Sequence, residues 1–152
     1  MKTIVLYSSR GGNTGKVADA IASVLKSEAI KVTQASKSDI LDLNNFDLIF
    51  VGTGVHYASP NEDLMAYLKS INPNTSKMFA LFITWGGAGR ANLIVVDRLK
   101  SLLSSKGQRV IENPFFCYGG WNILRRGHPN EQDIKAAKEW ATKIVTTTNN
   151  LT

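Results

Sequence analysis

Three short segments carry residue types that could hold a flat, phosphorylated ligand. The first, Ser8-Ser9-Arg10-Gly11-Gly12-Asn13-Thr14-Gly15, concentrates glycines and hydroxyls between an apolar run and a helical pattern. A phosphate placed there accepts backbone N–H groups from the helix start, with hydroxyls from Ser9 and Thr14, and needs no lysine. Gly11 and Gly12 permit close approach of the backbone. The second, Gly52-Thr53-Gly54-Val55-His56-Tyr57-Ala58-Ser59-Pro60, and the third, Thr84-Trp85-Gly86-Gly87-Ala88-Gly89, pair large aromatics with glycine. An aromatic ring system could lie against Tyr57 or Trp85 and hydrogen-bond to exposed amides, which describes a flavin site. The first segment alone is equally a tight turn with a capped helix, and each aromatic alone is more often a core or rim residue; the three together carry the expectation.

Other phosphate chemistries fail letter by letter. A P-loop needs Gly five positions before Gly15 and Ser or Thr after Lys16, where Arg10 and Val17 stand. The dinucleotide fingerprint G-x-G-x-x-G does not occur, because Tyr57 follows Gly52 and Gly54 at the third position. A cysteine phosphatase needs arginine six residues after Cys117, where Ile123 stands, and a phospho-receiver needs acids where Ser8 and Ser9 stand. His56 is open to a ligand or to solvent. His128 shapes a helix entry before Pro129, and Cys117 is expected as a buried thiol.

The elements that must position these segments follow from periodicity. Thr3–Tyr7, Asp47–Gly52 and Lys77–Thr84 are near-continuous apolar runs suited to strands covered on both faces; Lys31–Ala35 and Arg109–Tyr118 read as strands nearer the edges. Helical patterns lie between them. Asn13 or Thr14 is placed to cap the first, and Ser59-Pro60-Asn61-Glu62 reads as a capping box with proline at the first helical position of the second. A third carries Leu93 to Leu103 and stops at Gly107, and a fourth starts near Asn130; Ser38–Leu43 adds a helical turn. The alternation predicts an α/β fold: a doubly wound five-stranded parallel sheet of order 2-1-3-4-5 with helices on both faces. Ligands of such sheets bind beyond the carboxyl ends of the strands, where all three segments fall. Residues 1–148 read as one domain with a frayed tail at 149–152, the polar stretch from Thr146 already loosening. Trp121 stands where it could cover the ligand or plug the sheet end.

Composition sets bounds. The chain has 152 residues, 43% hydrophobic and 20% charged, the proportions of an ordinary globular domain, with no run of membrane-spanning length. No leader is recognisable before the first strand and there is one cysteine, so a cytoplasmic location is expected. The net charge of +6 belongs wholly to residues 77–152, where eleven Lys/Arg face five Asp/Glu. The basic residues are scattered along helices, with only Arg125 and Arg126 adjacent, so a solvated basic face is expected and no nucleic-acid partner.

With these residues in view, the chain resembles a short-chain flavodoxin over nearly its whole length. Ser9-Arg10-Gly11-Gly12-Asn13-Thr14 matches the family's hydroxyl-x-x-Gly-Asn-Thr phosphate loop at four positions and departs at Arg10 and Gly11, where threonines are usual. Val51-Gly52-Thr53 and Gly127-His128-Pro129-Asn130-Glu131-Gln132-Asp133 add to the likeness, the latter resembling a helix entry of a microbial subgroup. The resemblance implies an FMN whose phosphate sits on Ser9–Thr14 and whose ring lies between Thr53–Tyr57 and Thr84–Ala88, with no catalytic residue or metal. Arg10 either reaches the phosphate or points outward, the latter slightly favoured. It further implies an electron carrier shuttling between a reductase and an acceptor, acidic proteins being candidates because this chain is basic where carrier flavodoxins are acidic. The alternatives are a small FMN-dependent oxidoreductase, of the NAD(P)H:quinone reductase or porphyrinogen oxidase type, and a non-catalytic module of the same fold.

Overall fold

A computed structural model describes residues 1–33, 41–71, 75–120 and 123–151. Parallel strands β1 (Thr3–Ser8), β2 (Ala29–Lys31), β3 (Leu48–His56), β5 (Met78–Trp85) and β6 (Arg109–Val110) lie in the order β2-β1-β3-β5-β6. A short β4 (Ser59–Pro60) pairs antiparallel with β3, and β7 (Phe115–Tyr118) runs parallel to β5 beyond β6. Helices α1 (Asn13–Leu25), α2 (Glu62–Ser70), α3 (Ala91–Ser105) and α4 (Glu131–Asn149) complete the α/β fold. Its order is the expected one, with β6 and β7 sharing the fifth position.

The period of two along each strand divides the core between the sheet's faces. Ile4, Leu6, Ile49, Val51, Leu81 and Ile83 pack with Leu64, Tyr67 and Leu68 of α2 and Val95, Leu99 and Leu103 of α3. The alternate residues Val5, Leu48, Phe50, Ala80 and Phe82 pack with Val17, Ala18 and Ile21 of α1 and Ala137, Ala141 and Ile144 of α4. Burial on both faces explains why these strands read as continuous apolar runs. Among the described residues no helix is long and apolar enough to cross a membrane.

Several boundaries differ from those expected. The N-cap of α1 is Gly12, at φ 87°, so Asn13 is the first helical residue and neither Asn13 nor Thr14 caps. Ser59 and Pro60 do not open α2: they form β4, and Asn61 caps the helix by accepting from Asp63 N. Proline, lacking an N–H, fits this marginal strand. Strand β2 ends at Lys31, and Ala35 lies outside the described residues. Arg109–Tyr118 breaks in two around Asn113-Pro114, where Trp140 Nε1 donates to Asn113 O at 2.9 Å. Residues 38–40 of the expected turn also lie outside the described residues, while a 3-10 turn follows at Leu43–Asn45. Helix α4 continues to Asn149 with Thr148 buried, so Thr146–Asn149 are helical. The expected cap of α4 is present as a full capping box: Asn130 accepts from Asp133 N, and Asp133 accepts from Asn130 N.

Two packing features can be tested. A Cβ at Gly52 would stand 2.0 Å from Cε2 of the fully buried Phe82. Gly52→Ala is therefore expected to cost about 1–3 kcal/mol in urea denaturation, through displacement of that ring. Burial, with Asp133 adding, pushes the Cys117 thiol up to about 12. Cys117 should consequently resist iodoacetamide at pH 8 in the folded protein and react within minutes in denaturant, as mass spectrometry would record.

Candidate cofactor site at the carboxyl edge of the sheet

The first segment turns sharply out of β1. Ser9 Oγ accepts from Gly12 N at 3.0 Å, which closes the turn and leaves Arg10, Gly11 and Gly12 exposed. Helices α2 and α4 are capped by Asn61 and Asn130, but α1, like α3, receives no side-chain cap among the described residues and has no acid in its first turn. Its N–H groups and the positive end of its dipole are thus available to an anion, and the donor set fits a phosphate. Two side chains expected to meet the ligand also tie loops together. Asn13 Nδ2 donates to Gly120 O at 2.9 Å, and Thr14 Oγ1 is buried 2.8 Å from Thr84 Oγ1.

The second segment is a hairpin and not a loop. Strand β3 runs to His56, pairs with β4, and turns through Tyr57 and Ala58 at φ 50° and 56°. Two positive φ values are what a two-residue hairpin of this hand demands, and here neither position is glycine. The fully buried Thr53 holds the base: its Oγ1 accepts from Asn61 N and donates to Gly54 O, both at 2.9 Å. Val55 packs against the α2–α3 core, while Tyr57 at the tip is 103% exposed. His56 turns back: its Nε2 and Thr14 Oγ1 lie 3.5 and 3.7 Å from where a Cβ on Gly54 would stand. Burial and then the Arg10 cation lower the pKa of His56, so its imidazole is neutral at pH 7.

The third segment leaves β5 at Trp85 and exposes Gly86 and Ala88. Trp85 stacks on Tyr118, with centroids 6.1 Å apart and planes at 29°, and the Arg125 guanidinium sits 4.0 Å above the Tyr118 ring. Gly87, at φ 83°, fits against this stack; a Cβ there would be 2.8 Å from Tyr118 Cε1. Gly119 N donates to Trp85 O at 2.9 Å, Gly120 N to His128 O at 2.8 Å, and His128 Nδ1 meets Asp133 Oδ2 at 2.7 Å. The loop after β7 is thereby a fourth wall of the site. Sequence reasoning brought the segment from Tyr118 to the ligand edge but counted neither Tyr118 nor Arg125 among the site residues. The available signal was Tyr118-Gly119-Gly120, the same aromatic-Gly-Gly order as Trp85-Gly86-Gly87. Trp121 lies outside the described residues.

The edge therefore gathers an uncapped helix start, a hairpin tipped by an aromatic, and a glycine-rich turn, with side-chain bonds from the helix start to the end of β5 and to the loop after β7. A family profile described as the flavodoxin domain matches residues 4–123. An uncharacterised protein of Methanocaldococcus jannaschii is 32% identical over 155 residues, covering 95% of this chain and 99% of that one. Among solved structures, a flavoprotein in complex with FMN from Lactobacillus acidophilus is 26% identical at a TM-score of 0.61, covering 77% of this chain and 92% of its own. A flavodoxin, WrbA-like protein from Agrobacterium tumefaciens shares the fold at a TM-score of 0.77 and 15% identity, covering 98% of both chains. From strand order to profile match, the chain belongs to the flavodoxin-domain family.

Proposed function

We propose that this protein binds one FMN at the carboxyl edge of its sheet and carries electrons between redox proteins. The observation that carries the reading is the uncapped, acid-free start of α1, joined through Thr14 and Thr84 to the glycine-rich third segment. On this reading the amides from Arg10 to Thr14 hold the phosphate, supported by Ser9. Gly54, His56 and Tyr57 flank one side of the ring, and Trp85 to Ala88 the other. Thr53 and Val55 act through the hairpin they brace. FMN supplies reversible electron transfer, and the chain sets its exposure and electrostatic surroundings. Arg10 and Arg125 add positive charge at this edge, which favours an anionic reduced flavin over the neutral oxidised one. An FMN-dependent oxidoreductase is the second reading, favoured by His56: a neutral, half-buried imidazole beside Gly54 can accept a proton at Nε2.

The test is the visible spectrum of the purified protein titrated with FMN. One equivalent of tightly bound, flavin-absorbing cofactor is expected, and a colourless protein that takes up none would leave only the non-catalytic module. Gly12→Val, which forces a branched side chain to φ 87°, should weaken FMN binding by about tenfold or more. Anaerobic mixing of the loaded protein with NAD(P)H separates the two redox readings: slow bleaching supports the carrier, bleaching within milliseconds the enzyme. Arg10→Gln should raise the His56 pKa toward its ordinary value, because the lowering cation is gone, while changing FMN affinity less than about threefold. NMR titration of the imidazole and fluorescence titration of FMN measure the two effects.

A further inference from the structure

We infer that the loop after β7, Ile123-Leu124-Arg125-Arg126, is a docking knob for an acidic partner protein, held beside the proposed cofactor. The inference rests on the redox reading above and names the partner of that site.

Apolar exposure is the first ground. Ile123 is 80% and Leu124 60% exposed, two adjacent aliphatic side chains, and the fully exposed Tyr57 projects from the hairpin at the same edge of the sheet. Large apolar groups concentrated beside a ligand site mark an interaction surface.

Charge is the second ground. The segments 9–12, 54–61, 86–90, 119–120 and 123–130, which together form this edge, contain Arg10, Arg90, Arg125 and Arg126 and not one Asp or Glu. The acids nearest in sequence, Glu62, Asp63, Glu131 and Asp133, open α2 and α4, and Asp133 is turned to His128 and Asn130. An apolar centre edged by arginine has the composition of a protein interface, and the sign of the edge selects an acidic partner.

Preorganisation is the third. Arg125, itself at φ 55°, is pinned 4.0 Å over Tyr118, His128 N donates to Arg125 O at 3.1 Å, and Asn13 holds Gly120 at 2.9 Å. A loop fixed before contact loses little entropy on docking.

The experiment uses the FMN-loaded protein and two probes of opposite charge, an acidic plant-type ferredoxin as electron donor and a basic cytochrome c as acceptor. Binding of oxidised ferredoxin is read by calorimetry and electron transfer by stopped flow. Ferredoxin should bind, and its transfer rate should fall about tenfold between low salt and roughly 0.3 M salt, as expected for opposite charges. Ile123→Ser with Leu124→Ser should weaken binding about tenfold at every salt concentration. Arg90→Glu with Arg126→Glu should weaken it about tenfold at low salt only and speed transfer to cytochrome c, with reduction by dithionite unchanged. Salt-independent transfer, stronger binding of cytochrome c than of ferredoxin by the unsubstituted protein, or variants that titrate like the parent overturn the inference. So does binding to phosphatidylserine vesicles or RNA through these residues with none to ferredoxin. A protein that takes up no FMN but binds ferredoxin through this loop upholds the surface and sinks the redox reading; one that takes up FMN without binding ferredoxin does the reverse.

Discussion

Parallel, in-register pairing of β1, β3 and β5 is the constraint on which everything else depends. Thr3 to Ser8 lie opposite Leu48 to Thr53, and Leu48 to Gly54 lie opposite Met78 to Thr84, without a slip. Because the strands are parallel, their carboxyl ends finish at one edge, and segments far apart in sequence are delivered to one place. Both faces must be buried for the register to hold, which the two core clusters accomplish. Gly52 shows the tolerance at the centre: the Phe82 ring occupies the space its side chain would need.

At that edge, side chains of the expected phosphate loop are used as ties between loops. The Thr14 hydroxyl faces Thr84 and the Asn13 amide holds Gly120, so the segment after β1 is connected to the end of β5 and to the loop after β7. The bonding left for an anion is backbone bonding, from a helix whose first turn has neither a side-chain cap nor an acid. The contrast is with α2 and α4, both capped by asparagine and both acidic in the first turn; α3 shares the open, acid-free start of α1 but begins beyond the third segment, behind Arg90.

The third and fourth walls are joined by stacking. Trp85, Tyr118 and Arg125 form a continuous pile whose close approach to the turn after β5 requires Gly87. Cation–π contact fixes a guanidinium that would otherwise sweep through solvent, so a positive charge has a defined place at the edge. Through Arg125 the same pile supports the backbone that follows Leu124, which links the interior of the site to its outer surface.

Sequence alone determined the strands, the helix faces and the segments that gather at the edge, because continuous apolar runs and period-3.6 burial are written locally in residue type, and the strand order followed from their alternation. The Asn130–Asp133 capping box was legible for the same reason: its partners are three residues apart. Ser59-Pro60 was misread because a helix start and a hairpin arm use the same residues, and only the continuation of β3 to His56 decides between them. The roles of Asn13 and Thr14 depend on Gly120 and Thr84, 107 and 70 residues away. Tyr118 and Arg125 likewise became part of the site only when β7 paired with β5. Tertiary structure decided which polar groups face one another at that edge, since that choice is made by neighbours distant in the chain.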